Sequence, residues 1–282
     1  MTTTTPIADA DFDFVRAIVR ADSAIALEAG KEYLVESRLL TLARSQGLDS
    51  VGALVAQLRQ RPASDLRYKV VEAMTTNETS FFRDITPFDA LRTHIIPDLL
   101  VRRAQCQQIR IWCGAASTGQ EPYSLAMLLR EHFPALSSWK VQITATDISR
   151  EVLEKARAGR YGQLEVNRGL PAPLLLKYFE RDGVHWQIKP VLKSMVSFRE
   201  MNLVGPWMIG EADIVLLRNV LIYFEVDVKR QILGNIRRVM RPDGYLLLGS
   251  AESTMNIDDN YKRVPVGRAN AYQAAAAQER AA

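Results

Sequence analysis

Cysteine and histidine are scarce in this chain, with two and three among 282 residues. Cys106 and Cys113 form no CxxC pair, and His94, His132 and His185 are scattered. Neither a disulfide framework nor a metal site is therefore expected, and the thiols suit a reducing compartment. No apolar run approaches the roughly 18 residues of a membrane span. The opening Met1–Pro6 has neither the basic nor the apolar stretch of a signal peptide. A cytoplasmic protein without membrane insertion is the expectation. Internal repeats are also lacking, as is any dense basic stripe: the net charge is only +4. That balance permits an acidic partner without requiring one, and it leaves no nucleic-acid footprint.

Hydrophobic residues make up 48% of the chain, an ordinary share for a globular protein. Their spacing changes along its length. Residues 1–10 read as frayed. Up to residue 75 the apolar positions recur at helical spacing: Phe14, Val15, Ile18 and Val19; Leu34, Val35, Leu39, Leu42 and Ala43; Val51, Leu54, Val55 and Leu58; Val70, Val71 and Met74. Gly30, Gly47 and Pro62 punctuate them, which predicts a small helical domain over 1–75. Residues 76–108 read as a linker and the lip of a site. From 109 to 282, short runs rich in β-branched residues (Ile109–Cys113, Val141–Ala145, Val196–Phe198, Ile214–Leu217, Tyr245–Leu248) alternate with helical patterns at Glu121–His132, Arg150–Ala158 and Asp227–Val239. Alternation of this kind predicts an α/β fold, a parallel sheet with helices on both faces. Pro242-Asp243-Gly244 reads as a turn feeding the last of these strands. Asp182-Gly183, between Phe179 and Trp186, reads as the turn of a hairpin inserted at about 176–198. The tail after Tyr272 reads as mobile.

Gly114-Ala-Ala-Ser-Thr-Gly119 leaves a predicted strand and opens a helix. A dinucleotide fingerprint would place a glycine where Ala116 stands, and an acidic residue about 20 positions on. Here the next strand-ending acid, Asp147, comes well beyond that. A nucleoside cofactor without pyrophosphate fits better, and S-adenosylmethionine is one. Asp147 is suited to both ribose hydroxyls, or else to capping the following helix. Glu121 is suited to the cofactor's ammonium group, or simply to the helix dipole. Arg218 and Asn219 follow four apolar residues at a strand's carboxyl end, where open α/β sheets bind ligands. Asn202 and Leu203 hold the corresponding place after Val196–Phe198. Tyr223 reads equally as a hydroxyl turned into that cleft or as a core aromatic beside Phe224. Arg83 closes the small polar segment Thr76-Asn-Glu-Thr-Ser-Phe-Phe-Arg83, either as a cation at the pocket mouth or in a surface ion pair with Asp84 or an acidic helix.

Five segments recur in order and spacing: Thr76–Arg83, Ala115–Ser124, Ala145–Ser149, Met201–Leu203 and Leu217–Phe224. With them the chain resembles the chemotaxis receptor glutamate O-methyltransferases, the CheR family, from about residue 20 to residue 272. The resemblance implies a Rossmann-like S-adenosylmethionine-dependent methyltransferase sheet with helices on both faces, a small all-helical N-terminal domain and an inserted antiparallel β-subdomain. It implies cofactor contacts at Asn77, Thr79, Arg83, Glu121, Asp147, Asn202, Leu203, Arg218 and Asn219. Arg83 and Tyr223 would hold the substrate carboxylate, and S-adenosylhomocysteine would be the product. A carboxylate is already ionised at neutral pH, so such a transfer needs alignment rather than a general base.

The implied substrate is a glutamate on the cytoplasmic helical bundle of a chemoreceptor. In that family a basic helix faces the receptor. The matching stretch here, Lys31–Gln46, carries Lys31, Arg38 and Arg44, with Thr41 breaking the spacing and Arg59, Arg61, Arg67 and Lys69 as supplements. Some members also grip a C-terminal tethering peptide through a glycine-rich loop of the β-subdomain. The compact Arg181–Trp186 turn has one glycine, so tight tethering is not expected. Two alternatives stand: a methyltransferase of another protein or of a small carboxylate, and a non-catalytic sensor of S-adenosylmethionine or S-adenosylhomocysteine.

Overall fold

The computed structural model describes residues 7–62 and 64–275, and its contacts divide the chain into two compact units. One holds the residues up to Thr76 together with Tyr223–Val228; the other holds Asn77–Ile222 and the residues from Lys229 onward. Most of the stretch predicted as frayed, and the end of the predicted mobile tail, lie outside the described residues. Asp9 and Ala10 are already helical, and Ala274 still belongs to a strand.

The helical unit is built from α1 (Asp9–Ser23), α2 (Glu32–Ser45), α3 (Val51–Gln60) and α4 (Asp65–Met74). Leu54, Leu58, Val15, Val35, Leu39 and Val70 are wholly buried, each aliphatic side chain worth roughly 1.5–3 kcal/mol of transfer free energy. In α1 the core aromatic is Phe12. Phe14 is half-buried and carries the Arg59 guanidinium over its ring at 4.7 Å. The basic residues of this unit are largely engaged within it. Arg59 pairs with Asp11 (2.9 Å), Arg67 forks onto Asp22 (2.6 and 2.5 Å), Lys69 meets Asp65 and Lys31 meets Glu28. Arg38, expected on a docking face, instead donates to the carbonyls of Met74 (2.8 Å) and Thr75 (3.0 Å) and to Thr76 Oγ1 (3.1 Å). A helix leaves its last carbonyls without partners, and a guanidinium satisfies them well.

In the larger unit, α5 (Ile85–Ala90) runs through a π-helical turn, Leu91–Ile95, into α6 (Ile96–Arg102). Then follow β1 (Gln108–Gly114), α7 (Gln120–His132), β2 (Lys140–Asp147), α8 (Arg150–Ala158), β3 (Arg160–Gly162), α9 (Gln163–Asn167), α10 (Ala172–Tyr178), β4 (Phe179–Asp182), β5 (His185–Ile188), α11 (Pro190–Lys193), β6 (Val196–Glu200), β7 (Ala212–Leu217), α12 (Val226–Val239), β8 (Met240–Leu248), β9 (Tyr261–Val264) and β10 (Asn270–Ala274). The main sheet has the order β6-β2-β1-β7-β8-β10-β9. Its first five strands are parallel; β10 returns antiparallel to β8, and β9 pairs antiparallel with β10. Helix α7 is buried along most of its length, as expected for a helix over the middle of a sheet. Among the described residues, no helix is long and apolar enough to cross a membrane.

The inserted hairpin is present as β4 and β5, but its sheet has a third strand, β3, from outside the predicted stretch. Conversely, β6 joins the main sheet. Pro242-Asp243-Gly244 is an irregularity inside β8 rather than a separate turn: Ala212 faces Met240, and Ile214 already faces Tyr245. The irregularity aims Asp243 at the buried Arg103, which also bonds Asp213 at 2.7 Å. Arg103 holds the Asp243 carboxyl below the usual range.

Because Arg38 closes the end of α4, Arg38→Ala removes bonds worth about 1–2 kcal/mol in total. Its thermal unfolding, followed by circular dichroism, is expected to come at lower temperature than the parent's; an unchanged midpoint would show that Arg38 is not structural.

Candidate active site

The strand order reverses at β1, which has β2 on one side and β7 on the other. The crevice outside the carboxyl ends of such strands is where open α/β sheets take ligands. The turn from β1 into α7 fills it with left-handed residues: Ala115 (φ 53°), Ser117 (φ 50°) and Gly119 (φ 92°). For Ala115 and Ser117 that conformation costs on the order of 1–3 kcal/mol each and persists only where the surroundings dictate it. Here they do. Ala116 N–H donates to the Thr146 carbonyl at 2.9 Å, Ser117 N–H donates to Asp147 Oδ2 at 2.8 Å, and Ser117 Oγ donates to the Asn77 carbonyl at 2.8 Å.

Asp147 ends β2 and is 6% exposed. Its second oxygen accepts from Ser149 N–H at 3.0 Å, while Ser149, not Asp147, caps α8. The carboxylate thus ties the β1–α7 turn to the start of α8. The Asp147 carbonyl accepts from Met201 N–H, which brings the Asn202-Leu203 segment to the end of β2. Asn202 Oδ1 accepts from Val204 N–H, Leu203 is buried, and the Leu203 carbonyl accepts from the Trp207 indole. Trp207 stacks edgewise on Trp112 at 4.8 Å.

At the end of β7, Arg218 has a side chain only 1% exposed. It donates to Glu121 Oε2 at 2.7 Å, to the Arg83 carbonyl at 2.7 Å and to Asp84 at 3.2 Å, and it lies over the Phe88 ring. Its Nε is buried without a partner. Burial raises the Glu121 carboxyl above its ordinary value of 4.5, and Arg218 opposes that rise. Asn219 follows in the left-handed region at φ 58°.

The segment Asn77–Asp84 forms the lip. Phe82 (φ 49°) and Asp84 (φ 53°) are both left-handed. Phe82 N–H donates to Ser124 Oγ on α7 at 2.9 Å, and Phe81 is wholly buried. Gly169 passes so close that a Cβ there would lie 2.0 Å from the Phe81 carbonyl oxygen. The Arg83 guanidinium donates to the Glu78 carbonyl at 2.8 Å, and the Glu78 carboxylate pairs with Arg168. The sequence alternative of an Arg83–Asp84 pair is not what forms; Asp84 goes to Arg218. Asn77 and Thr79 line a polar cavity of 360 Å³ with Thr118, Gln120, Lys155 and Arg168.

The structure therefore joins Asn77, Arg83, Glu121, Asp147 and Arg218 through short hydrogen-bonded chains. Tyr223 belongs by its contacts to the helical unit, where its carbonyl accepts from Ala26 N–H. Ser117, Ser124 and Glu252 were not candidate site residues on sequence, and Asp84 was expected only as a partner of Arg83. Only Glu252 carried a signal, standing just after the carboxyl end of β8.

A buried carboxylate, an arginine with an orphaned Nε and an acid ending β2, gathered around a strained strand-to-helix turn, suit a ligand with a zwitterionic amino-acid tail and a ribose. With the sheet behind them they fit the S-adenosylmethionine-dependent methyltransferase class. Residues 77–269 match the CheR methyltransferase SAM-binding domain, and residues 10–75 match the CheR methyltransferase all-alpha domain. The chain belongs to the CheR methyltransferase family. It is 43% identical to chemotaxis protein methyltransferase 1 of Pseudomonas aeruginosa, over 95% of this chain and 98% of the relative. It is 41% identical to chemotaxis protein methyltransferase Cher2 of Pseudomonas putida (94% and 98% covered). A third relative, chemotaxis protein methyltransferase 1 of Vibrio cholerae, is 39% identical (92% and 94% covered).

Proposed function

We propose that this enzyme works in the cytoplasm and methylates glutamate side-chain carboxylates on the helical bundle of chemoreceptors, for sensory adaptation. The observation that carries the reading is the lip. The Arg83 backbone is pinned by the buried Arg218, while its half-buried guanidinium sits at the rim of the segment holding Asn77 and Thr79. The names of the relatives, matched over nearly their whole length, support the receptor as substrate.

S-adenosylmethionine, when bound, would supply a sulfonium methyl carbon open to in-line attack by an ionised carboxylate oxygen, the O–CH3 bond forming as the S–CH3 bond breaks and S-adenosylhomocysteine leaves as a neutral thioether. The chain's part is placement. Glu121, with a negative charge held by Arg218, receives the ammonium of the methionine tail. Asp147 accepts from the ribose hydroxyls while the backbone at Ser117 and Ser149 fixes its orientation. Asn202 and Leu203 flank the base, and Asn77, Thr79, Arg218 and Asn219 complete the enclosure. Arg83 offers a planar fork of permanent charge to the incoming carboxylate. Alignment of this kind is worth several kcal/mol, and no general base is required.

With Arg38 engaged at the end of α4, receptor recognition through a basic face of α2 falls to few side chains; Arg44 is exposed. The β4–β5 turn is equally spare, with Gly183 at φ 60° its one glycine. This supports the absence of tight tethering-peptide binding.

Incubation with radiolabelled cofactor and receptor-bearing membranes is expected to give base-labile label on a receptor. Arg83→Ala is expected to lose transfer by about 100-fold or more while still binding cofactor, in line with removal of a charge-assisted clamp. Surviving transfer would refute the clamp, and cofactor binding without label on any receptor would favour the sensor. Calorimetric titration of a receptor C-terminal peptide is expected to show no micromolar complex; such a complex would overturn the tethering reading.

A further inference from the structure

A buried carboxylate just past the carboxyl end of β8 has no part in the placement described above. Glu252 is 5% exposed. Its Oε2 accepts from Asn219 N–H at 2.8 Å and Gly249 N–H at 2.7 Å; its Oε1 accepts from Val220 N–H at 2.9 Å and Leu221 N–H at 2.7 Å. Three successive N–H groups converging on one carboxylate make an anion nest closed by a charge carried on the protein itself. Such bonds are charge-assisted and roughly twice as strong as neutral ones.

The carboxylate joins the segment leaving β7 to the segment leaving β8. Gly249 leaves the room for it: a Cβ there would lie 2.7 Å from Glu252 Oε2 and 2.9 Å from Asn219 Nδ2. The loop is also held from β10, where Asn270 Nδ2 donates to the carbonyls of Gly249 (3.0 Å), Ser250 (3.2 Å) and Glu252 (3.0 Å). Asn219, whose N–H takes the first of the nest bonds, is the left-handed residue directly after Arg218. Asparagine tolerates the left-handed region better than most residues, and here the bonds from Asn219, Val220 and Leu221 N–H to the carboxylate fix the turn in that conformation.

We propose that Glu252 is a positioning residue for the methyl-transfer site: its carboxylate fixes the left-handed turn at Asn219 and so aims the Asn219 side chain, with Arg218 before it, into the cofactor crevice. The inference rests on the reading that Asn219 contacts the cofactor. Glu252→Gln puts an amide NH2 against backbone donors, which opens the turn.

The test compares Glu252→Gln, Asn219→Ala and the parent by calorimetric titration with S-adenosylhomocysteine, well below each variant's melting midpoint, together with steady-state kinetics. Glu252→Gln is expected to weaken binding about tenfold or more, a loss of about 1.4 kcal/mol. The KM for S-adenosylmethionine should rise in step, with the receptor KM unchanged. A merely structural role would lower the melting midpoint and leave the affinity of the folded protein at the parent value, which overturns the proposal. Weakened Asn219→Ala beside parent-like Glu252→Gln overturns the proposal alone; parent-like Asn219→Ala overturns the reading beneath it as well. Should Glu252→Gln fail to fold, Glu252→Asp keeps the charge but is too short to bridge both segments. Weakened binding there supports the proposal, and parent affinity overturns it.

Discussion

A guanidinium almost sealed from water cannot stand alone. Taking such a charge out of solvent costs several kcal/mol, and the cost is met only by close, well-directed partners. Arg218 finds them in the Glu121 carboxylate, the Arg83 carbonyl and the Asp84 carboxylate. One side chain at the end of β7 thereby ties α7 and the lip to the same point of the sheet. Glu121 is held as a buried carboxylate by the same contact, against the burial that raises its pKa. The orphaned Nε leaves one donor of this buried cation uncommitted.

Around that ion pair the carboxyl end of the sheet is strained in one consistent way. Ala115, Ser117, Phe82, Asp84 and Asn219 are all left-handed without being glycine. Each is held by a named bond on its own or a neighbouring group: Asp147 on Ser117, Ser124 on Phe82, Glu252 on Asn219. Two acids, Asp147 and Glu252, are committed to backbone N–H groups. Pre-set geometry of this kind lowers what must be ordered on binding, which is where placement-based catalysis gains most.

The elements carried by local patterning were readable in advance. Helix α8 matches its predicted span residue for residue, and β1 and β2 differ only by a few end residues, because β-branched runs and helical periodicity are properties of short stretches. Elements defined by distant partners were not. The three residues of β3 are a strand only because β5 lies beside them, and β9 and β10 form an antiparallel edge that no local signal announces. Arg38 shows the same limit for side chains: a cation on a helix looks like solvated surface until the end of another helix is brought under it. The candidate site residues were readable as candidates because many of them stand just beyond strand ends. The bonds that pin them, such as those of Ser117, Asp84 and Glu252, depend on backbone groups that residue identity does not reveal. Tyr223, next to the buried Phe224, had two readings on spacing, and its contacts place it with the helical residues.

The central claim is that Arg218 holds the lip in its strained form. Hydrogen–deuterium exchange of Arg218→Met against the parent, read by mass spectrometry, addresses it most directly. The account predicts faster exchange over residues 77–84 and at the start of α7, with the strands β1, β7 and β8 still protected. Unchanged exchange over 77–84 in a folded Arg218→Met protein would contradict it.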